Sequence, residues 1–196
     1  MNYLIEESLT ESYSYQEYKE RINQLITEGK STGHTQNQML LDYSVLNEVR
    51  MKRIDKTQQL ETHIIEKLQN LEKPQIWLII AEGWCGDAAQ IVPVLAKMAE
   101  QSDKIDLKIV LRDDHDALMS RFLTNGGKAI PKLLLIDAQT RSLINHWGPR
   151  PQEAYQLVEN YKKEHGKIDD IIKTDLQKWY LKDKGISIQN EVIELL

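Results

Sequence analysis

A single cysteine, Cys85, in 196 residues excludes any internal disulfide. It also excludes a zinc or iron–sulfur site built from this chain's thiolates alone. No long stretch is free of polar residues, and the longest apolar run, Ile76 to Ala81, is far too short to cross a bilayer. The first residues, Met1-Asn2-Tyr3-Leu4-Ile5-Glu6-Glu7, lack the basic region and apolar core of a secretory signal, so the expectation is a cytoplasmic protein with no membrane partner. An excess of positive charge is lacking as well. With 25 Lys and Arg against 30 Asp and Glu the net charge is −5, which removes the basic field that nucleic acid needs. One basic cluster, Arg50, Lys52, Arg53 and Lys56, is diluted by Glu48 and Asp55 and reads as the solvated face of a helix.

What is present changes character along the chain. Ser14, with Glu17 three residues later, is a capping-box start for a helix that places Tyr18, Ile22, Leu25 and Ile26 on one stripe and stops at Gly29. A polar loop over 30–38 follows. Helical spacing returns over about 39–55 and 57–72, with Leu60, Ile64, Leu68 and Leu71 in register and Pro74 as the stop. Ile76 to Ala81 suits a buried strand. Gly86 to Glu100 is helical, and Ile105 to Leu111 alternates as a strand does. A short helix over 115–124 ends at Asn125-Gly126-Gly127. Leu133 to Ile136 and Leu143 to Trp147 flank a polar turn and read as an antiparallel hairpin. Pro151 suits the first turn of a helix. A last helix over 168–182 would bury Ile172, Leu176 and Trp179, and the tail 186–196 alternates weakly. Alternating strands and helices imply an α/β fold with parallel pairing and an antiparallel edge.

One segment carries chemistry. Ala81-Glu82-Gly83-Trp84-Cys85-Gly86-Asp87-Ala88 follows a buried strand and opens a helix. It resembles the thioredoxin active-site turn, Trp-Cys-Gly-x-Cys. Pro93 lies where thioredoxins kink this helix, and Ile130-Pro131 precedes the next apolar strand, where they place a cis-proline. The resemblance covers about residues 57–164. It implies a thioredoxin-like central sheet over 57–165, with helical extensions over 1–56 and 166–196, and a bacterial cytoplasmic protein. It also implies a cis bond at Pro131, with the Ile130 backbone facing an extended partner that could add to it as a strand.

The departures matter as much. Ala88 stands where the resolving cysteine would be, so a mixed disulfide at Cys85 could be released only by an external thiol. The buried carboxylate of the family falls here on Leu78 or Ile79, neither acidic. A cysteine at a helix N-terminus meets free N–H groups and the positive end of the dipole, which favour the thiolate. Asp87 opposes that ionisation, and the sequence leaves the sign of the balance open.

Two functions follow. In the first, Cys85 performs monothiol exchange with a protein, peptide or small disulfide, with a low-molecular-weight thiol as co-substrate and no other cofactor. Gly86 and the N–H groups after it would steady the thiolate, and Trp84, Asp87, Ala88, Ile130 and Pro131 would line the groove. In the second, the groove binds a protein or peptide partner without turnover. A peroxiredoxin-type site is disfavoured because Glu82 replaces the expected threonine, and a cluster-binding glutaredoxin because Gly86-Asp87-Ala88 replaces Gly-Phe-Ser. His115 and His146 have no evident second ligand. Asp113, Asp114 and Asp116 read as helix caps rather than a metal cluster. Arg150, between two prolines, could bind a carboxylate.

Overall fold

Every residue of the strand Gln75–Ala81 (β1) is buried, which puts it at the centre of the sheet. The computed structural model describes residues 1–196. β2 (Ile105–Leu111) pairs parallel to β1, while β3 (Lys132–Asp137) and then β4 (Leu143–Trp147) pair antiparallel on the other side, giving the order β2-β1-β3-β4. This is a thioredoxin-like α/β sheet flanked by helices. The apolar run Ile76–Ala81 within β1 sits where both faces are covered, as a run with no polar member must.

Four helices precede the sheet: α1 (Asn2–Thr10), α2 (Tyr15–Thr27), α3 (Gln38–Thr57) and α4 (Thr62–Gln69). The capping box of Ser14 and Glu17 is formed, and Asn37 caps α3 through the Leu40 amide. The two helical stretches read over 39–72 are separate. α4 ends at Gln69, well before Pro74. α1 has no capping side chain, and its signal in the sequence is faint. Tyr13 adds a bridge to Ile109, exchanging both backbone hydrogen bonds at 2.8 Å, so the N-terminal segment covers the free edge of β2.

The helix after β1, α5 (Ala88–Ala99), is apolar apart from Gln90 and Lys97 and almost wholly buried, as expected for a helix packed between the sheet and other helices. Here α3, α4 and α9 lie against it. The helix expected over 115–124 is shorter, α6 (Asp116–Met119). α7 (Gln152–His165) starts at Pro151 and ends on Gly166 in the left-handed region. α8 (Asp170–Asp183) is capped by Asp169 and buries Ile172, Leu176 and Tyr180; it is Tyr180, not Trp179, that completes its inward face. The tail is a helix, α9 (Ile186–Ile193), because Ile188, Val192 and Ile193 share one side and fill the gap beside α4 and α5. The apolar core runs unbroken from Ile5, Tyr18 and Ile22 through the sheet to Tyr180 and Val192. No helix is long and apolar enough to cross a membrane.

Of the glycines required by close contact, two bear on the site. A side chain at Gly83 would press on Ile22 of α2 at 2.9 Å, and one at Gly148, with φ +107°, would run into the Pro131 carbonyl oxygen. Both positions adjoin the turn that carries Cys85.

Candidate functional site

The turn between β1 and α5 is held from the N-terminal side. Gly83 N–H donates to Thr32 Oγ1 at 2.8 Å, and Asn47 Nδ2 donates to the Gly83 carbonyl at 3.0 Å. The Cys85 amide closes the turn on the Glu82 carbonyl at 3.1 Å. Glu82 is fully buried, and its Oε1 accepts the Asp113 amide at 3.0 Å. Burial pushes its carboxyl up to about 7, against the pull of the Thr32 hydroxyl and the Asp113 amide. The turn therefore does hold a buried acid near the cysteine, although Leu78 and Ile79 are apolar. It is directed toward the loop of Thr32 and Gly33 and the start of the segment after β2.

Cys85 is 8% exposed. Its thiol donates to the Ile130 carbonyl at 3.4 Å and accepts the Ala88 amide at 3.5 Å. A carbonyl oxygen beside the sulfur favours the protonated form, since a thiolate has no hydrogen to give. Burial and then the Asp87 carboxylate push the thiol up to about 12, outweighing the Ala88 and Asp87 amides and the Arg150 charge. The balance left open by the sequence thus falls on the side of the neutral thiol.

Asp87 is the junction of the site. Arg150 Nη2 lies 2.7 Å from its Oδ2, and the Tyr180 hydroxyl donates to Oδ1 at 2.8 Å. Burial and the Asp87 charge raise the Tyr180 phenol well above its ordinary value, so it stays a donor. Three distant segments, the turn, the loop after β4 and α8, thereby share one buried carboxylate. The proline-bounded Arg150 does bind a carboxylate, and that carboxylate is internal.

The Ile130–Pro131 and Gly148–Pro149 bonds are cis. Ile130 is buried at the sulfur, and Trp84 is half-buried with the Arg112 guanidinium 4.8 Å from its ring centroid. Ala88 is buried in the first turn of α5, and Pro131 is buried at the head of β3.

In front of the sulfur lies a cavity of about 700 Å³. Trp84, Cys85, Gly86, Asp87 and Ile130 form part of its lining, Met39, Leu40, Tyr43 and Arg50 of α3 stand on one side, and Ile172, Leu176 and Gln177 of α8 on another. Five basic side chains reach it: Arg50, Arg112, Lys128, Arg150 and Lys173. Four of them already face carboxylates, Asp113, Asp116, Asp87 and Asp170 in turn. Arg50 forms no ion pair and donates to Asn47 Oδ1 at 2.9 Å. Burial and then the neighbouring Arg53 lower its pKa, against a weaker pull from Tyr43 and the Asp87 carboxylate, so its positive charge is only partly compensated. The basic cluster read as a solvated face is therefore split. Lys52 pairs with Glu48 along the helix surface, whereas Arg50 turns into the cavity because α3 packs on α5.

Gln177 of the lining is held from behind by Gln90. Arg53 Nη2 donates to Gln90 Oε1 at 3.4 Å, and Gln90 Nε2 donates to Gln177 Oε1 at 2.7 Å. Arginine has only donors, so this order fixes both amides and leaves Gln177 Nε2 as a donor toward the cavity. Sequence reading missed the roles of Glu82, Gln177 and Tyr180 at the site. Only Glu82 left a trace, as an acid directly after the apolar run.

The other candidates resolve into structure. Asp113 accepts the His34 amide at 3.1 Å, Asp114 faces His34 Nε2 at 2.9 Å, and Asp116 pairs with Lys128. None caps α6 with its side chain, which corrects the capping expectation: these acids tie the segment to the loop at 34 and to Lys128. His115 is buried against Ser8, and His146 packs edge-on to Phe122. No three His, Cys, Asp or Glu side chains are grouped as a metal site.

Comparison with solved structures places the same fold elsewhere. A protein of unknown function from Pseudomonas aeruginosa is similar with a TM-score of 0.59 at 18% identity, over 93% of this chain and 96% of that one. An HIV epitope scaffold is similar with a TM-score of 0.57 at 19% identity, over 93% of this chain and 97% of that one. No curated protein sequence matches significantly. A thioredoxin family model matches residues 33–162, taking in α3, the Cys85 turn, both cis-prolines and most of α7. With two thirds of its length matched and the sheet in thioredoxin order, the chain belongs to the thioredoxin family.

Proposed function

We propose that this protein is a thioredoxin-fold recognition module, in which the cavity beside Cys85 takes a small-molecule partner and the cysteine rests as a neutral thiol. The observation that carries this reading is the thiol itself, buried, donating to the Ile130 carbonyl and pushed up to about 12. At neutral pH almost none of it is the thiolate that attacks disulfides. The walls of α3 and α8 support a small occupant. A cavity of about 700 Å³ is of the size that holds organic ligands, whereas a protein partner needs an open face of about 800 Å². The reading places the protein in a reducing cytoplasm, where a lone thiol stays reduced.

Monothiol exchange is favoured by one observation, the Ala88 amide and the Arg150 charge converging on the sulfur. In that chemistry the Cys85 thiolate would attack one sulfur of a disulfide and expel the other as a thiolate. A low-molecular-weight thiol would then attack the mixed disulfide and regenerate Cys85. An assay with glutathione and bis(2-hydroxyethyl) disulfide separates the two. The recognition reading expects wild type and Cys85→Ser to match the rate without protein. A Cys85-dependent rate about tenfold above that background would establish exchange in its place.

A further inference from the structure

The cavity has one vacant charge and one vacant amide, and both converge on a glycine. A β-carbon built on Gly86 would lie 3.5 Å from Arg50 Nη1 and 3.5 Å from Gln177 Nε2. A Gly86 hydrogen stands at that point, so no side chain comes between the glycine and the two donors. The Gln177 donor is aimed there by the chain of hydrogen bonds from Arg53 through Gln90. The Arg50 guanidinium is anchored there by Asn47, which also holds the Gly83 carbonyl. Two fixed donors, one cationic, above a residue with no side chain make a seat for a planar acceptor with a single negative charge.

Half of the residues that line the cavity are hydrophobic, 11 of 22. Among them Met39 is 59% exposed and Ile168 49% exposed, large side chains left in water. Leu40, Ile172 and Leu176 belong to the same apolar lining. A ligand that satisfies Arg50 with its head would lay an apolar body along these walls and remove them from water, at roughly 25 cal/mol per Å² covered.

We propose that the cavity binds an amphipathic organic monocarboxylate, its carboxylate held by Arg50 and Gln177 over Gly86 and its apolar body along Met39, Leu40, Ile172 and Leu176. The charge count favours a carboxylate over a phosphate ester. The other four basic groups are already neutralised by acids of the protein, so one positive charge is left for one negative charge. This proposal rests on the recognition reading and specifies the chemistry of its ligand.

The test is calorimetric titration of the full chain at pH 7.5 with octanoate and with octan-1-ol, which share a chain and differ in the head. Octanoate is expected to bind at least tenfold more tightly. Arg50→Gln is expected to weaken octanoate tenfold or more and leave octan-1-ol unchanged. Gly86→Ala, whose methyl finds only ordinary van der Waals neighbours, is expected to fold normally and to weaken octanoate similarly by filling the seat. Equal binding of the two ligands, with no effect of either substitution, overturns the carboxylate proposal while leaving a small-molecule cavity in place. Failure of both ligands to bind the wild-type chain overturns the proposal together with the reading on which it rests.

Discussion

Arg150→Met is expected to lower the melting temperature by about 4–16 °C, equivalent to roughly 2–4 kcal/mol in a domain of this size. The cause is the carboxylate left behind. The Asp87 side chain is 9% exposed and sits 2.7 Å from the Arg150 guanidinium, whose side chain is 22% exposed. Removing one member of a buried pair strands the other in a poor solvent for charge, which costs more than the pair itself contributes. The residual exposure of Arg150 sets the expectation below that of a fully buried pair. Tyr180 remains as a donor to Asp87, but a single neutral hydroxyl does not replace a guanidinium. A double-mutant cycle isolates the effect: in an Asp87→Asn background, Arg150→Met should cost much less. Thermal unfolding of the four proteins measures it, and a loss below about 1 kcal/mol for Arg150→Met would show that the pair is effectively solvated.

Asp87→Asn is expected to speed alkylation of Cys85 at pH 8 by about tenfold to a thousandfold, because removing a charge this close moves a pKa by roughly 1 to 3. The sign follows from the charges. The Asp87 carboxylate raises the thiol, and once it is gone the Arg150 cation has no partner and favours the thiolate instead. Burial, the larger cause, is untouched, so the thiol of the variant should still titrate above the free-cysteine value of about 8.5. Iodoacetamide labelling followed by mass spectrometry against pH reads this directly. An unchanged rate would mean that access, rather than ionisation, limits the wild-type cysteine.

Together these expectations describe a thioredoxin active-site turn whose acidic third position has been taken into the structure. In the wild-type chain Asp87 pins Arg150 and Tyr180, joining the turn to the loop after β4 and to α8. The same carboxylate reinforces burial in keeping the neighbouring thiol protonated. The helix N-terminus at α5 pulls the other way through the Ala88 amide, but at 3.5 Å to a sulfur that bond is weak. One buried charge thus joins three segments and adds to the effect of burial on the thiol.

The sheet was legible in the residues because its signals are local. The unbroken run at Ile76–Ala81, the alternation over Ile105–Leu111 and the turn at Asp137–Arg141 each act over a few residues, and each became a strand or a hairpin. The tail around Ile188 and Val192 was harder, since an eight-residue helix is stabilised by what it packs on rather than by its own sequence. The Cys85 turn was legible from its motif. Its electrostatics were not, because Arg150 and Tyr180 approach Asp87 from far along the chain. The cavity was the least legible feature. Arg50 looks like any solvent-facing member of a basic helix until α3 is seen packed on α5, and Gln177 acquires a direction only through Gln90 and Arg53.

The central claim is that Cys85 rests as a buried neutral thiol in a site built for recognition. Absorbance at 240 nm, titrated from pH 5 to pH 10 with Cys85→Ser subtracted, tests it most directly. The account predicts no thiolate step attributable to Cys85 across that range, in keeping with a thiol pushed up to about 12. A step with a midpoint below the free-cysteine value of about 8.5 would contradict it and make Cys85 a reactive monothiol.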